Sequence, residues 1–170
     1  EKCQCSLLDV LVDGEKLNHD IPETYCTQML LAVEHVASKH IIHRDIKPAN
    51  FLVRDGILKL CDFGLAIRKD AVKGGRSDIC GTTPFMAPEM LHGAHYDERA
   101  DVWSLGVTMY VFVFGQFPYD ARPDDRDGLV HSIKYDSPKP SYEALSFVPT
   151  PPAVLVAFIK LLLEHNCHKR

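Results

Sequence analysis

Two short runs carry residue types that can do chemistry at one point: His43-Arg44-Asp45-Ile46-Lys47-Pro48-Ala49-Asn50 and, twelve residues beyond that Asn, Asp62-Phe63-Gly64. A carboxylate such as Asp45 can take a proton from a hydroxyl. A carboxamide and a second carboxylate, Asn50 and Asp62, offer hard oxygen atoms of the kind that suit a hard cation. The segment between them reads as a hairpin. Phe51-Leu52-Val53 and Ile57-Leu58-Lys59-Leu60 are rich in strand formers, and Asp55-Gly56 is a two-residue turn signal. A chain that goes out and returns leaves Asn50 and Asp62 near the same end. The competing reading is three scattered polar residues in an ordinary α/β domain. Two ordered runs with a hairpin between them argue against it.

Together these motifs resemble the catalytic loop and magnesium-binding turn of protein kinases. The resemblance implies ATP and Mg²⁺ as the reaction's companions. Asp45 is then the residue facing the acceptor hydroxyl, and Asn50 and Asp62 the metal ligands. Lys47 matches the Ser/Thr-kinase lysine that contacts the transferring group. Thr82, in Gly81-Thr82-Thr83-Pro84, matches the threonine that bonds the catalytic Asp and Lys. Ala87-Pro88-Glu89 resembles the end of an activation segment opened by Asp62. Asp101-Val102-Trp103-Ser104-Leu105-Gly106 looks like the start of the family's buried central helix, and Asn166 to Arg170 like its closing motif, with Cys167 where Pro is usual. In the family, the Arg matching Arg170 pairs with the Glu matching Glu89. The alternative for Arg170 is a frayed terminal residue. The implied activity is phosphorylation of Ser or Thr in protein substrates. Gly106 to Tyr119, Ile42 to Asn50 and Pro84 to Glu89 resemble the calcium/calmodulin-dependent protein kinase kinases, which act on activation-loop Thr residues of other kinases. This chain has no basic amphipathic helix for calmodulin, so calmodulin could enter only through regions outside it.

The small-lobe features of the family do not precede His43. No G-x-G-x-x-G occurs, and the first forty or so residues do not read as a five-stranded sheet. Glu1-Lys2-Cys3 looks like the hinge, where backbone groups meet adenine. Leu52 matches the residue beneath the base, with Thr108 and Phe112 below it. His43 and Phe63 match the lower half of the spine that aligns the active state. The expected fold is thus a protein-kinase-like C-terminal lobe over residues 1–170. It is mainly α-helical, with a short β-hairpin carrying the catalytic elements, and it stops before the lobe's last helix. The missing N-terminal lobe would be its first partner, and the segment alone is expected to be inactive.

Arg44 beside Asp45 marks the kinases whose activation segment is ordered by a phosphate. The matching phosphosite position holds Asp78, so an Asp78–Arg44 pair could replace the phosphate. Ser77 is the rival, as a true phosphosite, and a solvated loop acid is the plain alternative. Where Arg-selective kinases carry Glu, this chain has Ala49 and Val111. That favours substrates with apolar or docked sites.

Composition sets bounds. With 170 residues, 46% hydrophobic and 25% charged, the chain can build one globular core. A formal charge of −4 argues against nucleic acid as a partner, and no apolar run is long enough for a membrane span. The six cysteines lack zinc-type pairing and read as free thiols of a reducing compartment, the cytosol or nucleus. Two other classes stand beside the protein kinase: a pseudokinase-like docking module, and a small-molecule kinase of similar fold. Intact Asp45, Lys47, Asn50 and Asp62 weigh against the first. Lys47, Thr82 and the full activation segment weigh against the second.

Several elements must position these residues. Asp20-Ile21-Pro22-Glu23 signals a helix start, followed by apolar residues at helical spacing from Cys26 to Ala37. Ala100 to Phe114 is apolar nearly all round and closes at Gly115, the pattern of a central buried helix. A short helix is expected near Asp125 to Lys134 and a late one from Val154 to Leu162.

Overall fold

The computed structural model describes residues 3–13, 21–69, 78–122, 124–143, 145 and 150–170. The expected N-cap Asp20, the hinge residue Glu1 and the rival phosphosite Ser77 lie outside them.

Helix α4 (Arg99–Phe114) is the axis of the molecule. Thirteen of its residues are buried, Trp103, Val107, Met109 and Phe114 completely. A helix with no polar face must be enclosed on all sides. Helix α2 (Ile21–Ser38) and helix α6 (Ala153–Leu162) pack against it. Gly115 ends it in the left-handed conformation at φ 68°, its N–H returning to Val111 O. Gly106 is the tight point. A Cβ there would lie 2.8 Å from Leu162 Cβ, so α4 and α6 approach only because the side chain is absent.

The expected hairpin forms as strands β3 (Phe51–Arg54) and β4 (Ile57–Leu60), with Phe51 opposite Leu60. Asp55 and Gly56 both take positive φ, 51° and 76°, as a primed turn requires. The sheet is larger than a hairpin. Strand β1 (Cys5–Ser6) adds antiparallel to β3, with Ser6 opposite Leu52. A second small sheet pairs β2 (Ile41–Ile42) with β5 (Ile67–Arg68). It ties the entry of the catalytic loop to the residues just past Asp62-Phe63-Gly64.

Helix α1 (Leu7–Asp13) follows β1 directly. Ser6 and Asp9 cap it reciprocally: Asp9 N–H donates to Ser6 Oγ at 3.2 Å, and Ser6 N–H to Asp9 Oδ2 at 2.7 Å. The short helix α3 (Pro88–Leu91) begins at the Ala87-Pro88-Glu89 run, and α5 (Arg126–Tyr135) is capped by Asp125 accepting from Gly128 N–H at 2.9 Å. Among the described residues, no helix is long and apolar enough to cross a membrane.

Candidate active site

The loop from His43 to Asn50 is buried except at Lys47 and Ala49, which are half-buried, though most of it is polar. Its anchor is Asp101, in the first turn of α4. The carboxylate accepts from His43 N–H at 2.6 Å and from Arg44 N–H at 2.8 Å. Burial pushes the Asp101 carboxyl above the usual range, and the two amide donors oppose that shift. Arg44 sits at φ 69°, a left-handed conformation costly for any residue with a Cβ. The bonds to Asp101 hold it there. His43 Nε2–H donates to Cys61 O at 3.0 Å, and Phe63 packs edge-on to the imidazole at 4.8 Å between centroids.

Asp45 stands at the centre of a saturated network. Lys47 Nζ donates to its Oδ2 at 2.7 Å and to Thr82 Oγ1 at 2.9 Å. Thr82 donates to its Oδ1 through both the hydroxyl, at 2.7 Å, and the backbone N–H, at 3.1 Å. Asn50 Nδ2 reaches Asp45 O at 2.8 Å and Oδ2 at 3.2 Å. Burial alone would raise the Asp45 carboxyl, but Lys47, Thr82 and Asn50 together hold it below the ordinary carboxylate value. It is therefore ionised at neutral pH and aimed by four donors. Gly81 makes the approach of Thr82 possible: at φ 99°, an added Cβ would meet Arg44 O at 2.4 Å.

Asp62 lies one residue beyond Cys61, whose N–H donates to Asn50 O at 2.9 Å. The hairpin thus returns the chain beside Asn50, as its turn signal implies. Asp62 takes φ 61°, is exposed, and accepts only from Gly64 N–H at 3.3 Å among the described bonds. The Asn50 amide spends its N–H groups on Asp45 and leaves its carbonyl oxygen as a donor atom. One amide oxygen and one free carboxylate fit Mg²⁺, which keeps few protein ligands and shares the rest with phosphates and water. No group of three or more His, Cys, Asp or Glu suited to a metal occurs among the described residues.

The other expected residues fall as follows. Leu52 lies half-buried on β3, with Cys3 just before the strand that pairs with it. Thr108 and Phe112 are buried; the Thr108 hydroxyl donates to Ser104 O at 2.8 Å, and Phe112 stacks on Tyr25 at 5.9 Å. Arg170 Nη2 reaches both Glu89 oxygens, at 2.9 and 2.8 Å, and its guanidinium lies over Trp103. Arg44 Nη1 donates to Asp78 Oδ2 at 2.8 Å, and its Nε to Leu65 O at 2.7 Å. Tyr96 joins this cluster without any signal in the sequence. Its hydroxyl accepts from Arg44 at 3.2 Å and donates to Asp78 O at 3.1 Å. Burial pushes its phenol up to about 12.

The sequence that builds this arrangement is similar to known proteins. The whole chain, residues 1–170, fits the model of the protein kinase domain, and the chain belongs to that family. It is 37% identical over 159 residues to an Aurora kinase of Schizosaccharomyces pombe, covering 92% of this chain and 42% of that protein. It is 38% identical over 118 residues to an Aurora kinase of Dictyostelium discoideum, covering 69% and 30%. Serine/threonine-protein kinase D2 of Rattus norvegicus is 37% identical over 135 residues, covering 76% and 15%. The chain thus spans less than half the length of each of these relatives. They support a Ser/Thr kinase and give no support to the narrower likeness to calmodulin-dependent kinase kinases.

Proposed function

We propose that this chain provides the acceptor-side half of a protein Ser/Thr kinase: the C-terminal lobe that holds the substrate hydroxyl, its proton acceptor and the two metal ligands. The observation that carries this reading is the Asp45–Lys47–Thr82–Asn50 network, with both Asp45 oxygens held between 2.7 and 3.2 Å of donors. Asp45 orients the acceptor hydroxyl and takes its proton as the new O–P bond forms and the bond from the γ-phosphorus of ATP to its β–γ bridging oxygen breaks, releasing ADP. A weak, fully ionised base suits a reaction in which that proton leaves late. Lys47 and Thr82 keep the carboxylate in place while the charge on it changes. Asn50 Oδ1 and the Asp62 carboxylate would hold Mg²⁺, which when bound neutralises phosphate oxygens of the substrate ATP. Cys3, Glu1 and Leu52 would meet the adenine.

The Arg44–Asp78 pair is the proposed substitute for a phosphate on the activation segment. Its carboxylate brings one charge where phosphate brings nearly two, so it orders the segment more weakly. The Phe112-Val113-Phe114 run that suggested a kinase-kinase is buried core packing, 4% exposed at most. Such residues report packing rather than substrate, so activation-loop targets rest on resemblance alone. The cytosol or nucleus remains the proposed compartment, on the free thiols.

The test is phosphate transfer by the full-length protein carrying this segment, offered protein substrates and small hydroxyl compounds with labelled ATP. Phosphoserine or phosphothreonine in protein is the expected product. Transfer only to small compounds would favour the small-molecule class. No transfer together with specific protein binding would favour a docking module. The 170-residue segment alone should show no transfer, because positioning and electrostatics supply nearly all the catalysis and half of that positioning is elsewhere.

A further inference from the structure

Arg44 is gripped twice by the chain around the start of α4. Asp101 holds its backbone N–H, and Tyr96, three residues before the helix begins, holds its guanidinium. The approach to the helix is itself fixed, since Asp97 accepts from Arg99 N–H at 3.0 Å and from Arg99 Nε at 2.9 Å. Tyr96 is only 6% exposed. A phenol can accept while it donates, but it has one hydrogen to give. Here it accepts from Arg44 Nη1 at 3.2 Å and gives its hydrogen to the main-chain oxygen of Asp78 at 3.1 Å. Burial raises the phenol, so it keeps that hydrogen at neutral pH.

Asp78 is thus held at two points of different kinds. Its carboxylate meets Arg44 Nη1 at 2.8 Å, but that carboxylate is exposed, so water and salt screen the pair. Its carbonyl is held by a buried hydroxyl, and a buried bond is screened far less. What these holds steady lies four residues further on. Thr82 donates twice to Asp45 Oδ1 and accepts from Lys47. It can do so only while the chain from Asp78 to Thr82 lies against the catalytic loop. Cys80, midway along it, has its Sγ 3.9 Å from the Tyr96 hydroxyl, so the phenol follows this stretch beyond Asp78.

Resting on the protein-kinase reading above, we infer that Tyr96 is a positioning residue for phosphate transfer: its hydroxyl joins the Arg44 guanidinium to the backbone of the activation segment at Asp78, and so seats Thr82 on Asp45 whether or not residue 78 carries a charge. Tyr96 touches no reacting atom and acts through Thr82. Because it grips main chain, it is the stronger of the two holds, and the Asp78 carboxylate is the weaker.

The test measures transfer to a Ser/Thr protein substrate by the full-length protein carrying Tyr96→Phe, Asp78→Asn or both, with Tyr119→Phe as the control. Tyr119 is a comparably buried phenol, bonded at 2.8 Å to Asp136 at the end of α5. Tyr96→Phe keeps the ring and removes both bonds, so kcat/KM should fall by about tenfold or more, the worth of a bond to a charged group. Measured against the unaltered protein at the same salt, that deficit should deepen by about two- to threefold between about 0.05 and 0.5 M salt, because the screened Arg44–Asp78 pair then carries the segment. In the double variant the loss should exceed the product of the single losses by about threefold or more, since each hold buffers the absence of the other. Tyr119→Phe should show neither the salt effect nor an excess loss with Asp78→Asn. A Tyr96→Phe protein that behaves as Tyr119→Phe does, or that transfers as well as the unaltered protein, overturns the inference and leaves the kinase reading standing. No transfer by the unaltered protein to any Ser or Thr protein overturns both.

Discussion

Asp45 and Asp62 are both carboxylates at the heart of one site, yet they are held in opposite ways. Asp45 is nearly buried, bonded by Lys47, Thr82 and Asn50, and its loop is pinned by Asp101. Asp62 is exposed and meets one amide at 3.3 Å. Both regions contain a non-glycine residue at positive φ, Arg44 at 69° and Asp62 at 61°. Such a residue costs about 1–3 kcal/mol and persists only where its surroundings over-determine it. Around Arg44 they do, through bonds of 2.6 and 2.8 Å to the buried Asp101. Around Asp62 far less does so. On the proposed reading, the acceptor side of the reaction is therefore preorganised within this segment. The nucleotide side carries less order of its own.

That difference can be broken from either end. The largest effect is expected for Asp101→Ala. It removes two buried charge-assisted bonds and frees the strained Arg44, so denaturant unfolding should show a loss of about 3 kcal/mol or more. A loss near zero would mean that the loop holds itself. Next, Lys47→Ala should weaken transfer by about tenfold or more, the worth of a charge-assisted bond. It also changes the pH profile. In the intact site the folded Asp45 carboxyl lies below its ordinary value, so the base stays ionised through the mildly acid range. Without Lys47, burial gains over the remaining donors, the carboxyl rises, and the acid limb of kcat/KM moves to higher pH. An unmoved limb would show that Lys47 does not tune Asp45.

A smaller effect is expected at the edge between the two regions. Asp78 is 42% exposed in its pair with Arg44, so Asp78→Asn should cost about two- to fivefold in activity, the worth of a screened pair. Unchanged activity would reduce Asp78 to a surface acid, and a phosphate found at Ser77 would give that role to its neighbour. The smallest effect on stability sharpens the contrast most. Asp62→Asn, which tolerates the same positive φ, should alter stability by no more than about 0.5 kcal/mol, as at other exposed positions, while transfer is lost. A loss of stability comparable to that of Asp101→Ala would erase the distinction between the two regions.

Much of this was legible in the chain. The Asp55-Gly56 turn encodes its own positive φ values, so the hairpin and the return to Asn50 could be read locally. The Ala100–Phe114 segment, apolar nearly all round, reads as a buried axis. The cap of α1 was also present, as Ser6-Leu7-Leu8-Asp9, a reciprocal capping pattern that marks a helix start. Other features have no local signature. Tyr96 meets an arginine 52 residues away, and nothing in its own neighbourhood announces that. Strand β1 is two residues long and exists only because β3 lies beside it. An apolar cavity beside Lys47 is assembled from α1, the catalytic loop, α4 and the Thr83–Phe85 turn. Ala49 and Val111 hint at it one residue at a time, but the opening appears only when the four segments meet.

The most direct test of the account is Asp45→Asn in the full-length protein, assayed for phosphate transfer to a Ser/Thr protein substrate alongside denaturant unfolding. The substitution keeps the shape and removes the proton acceptor. Transfer should fall by about a hundredfold or more, the usual worth of a positioned base, in protein that still unfolds cooperatively, with a lowered midpoint because the amide cannot accept from both Lys47 and Thr82. Transfer within a few-fold of the unaltered protein would contradict the role assigned to Asp45 and to the network built around it.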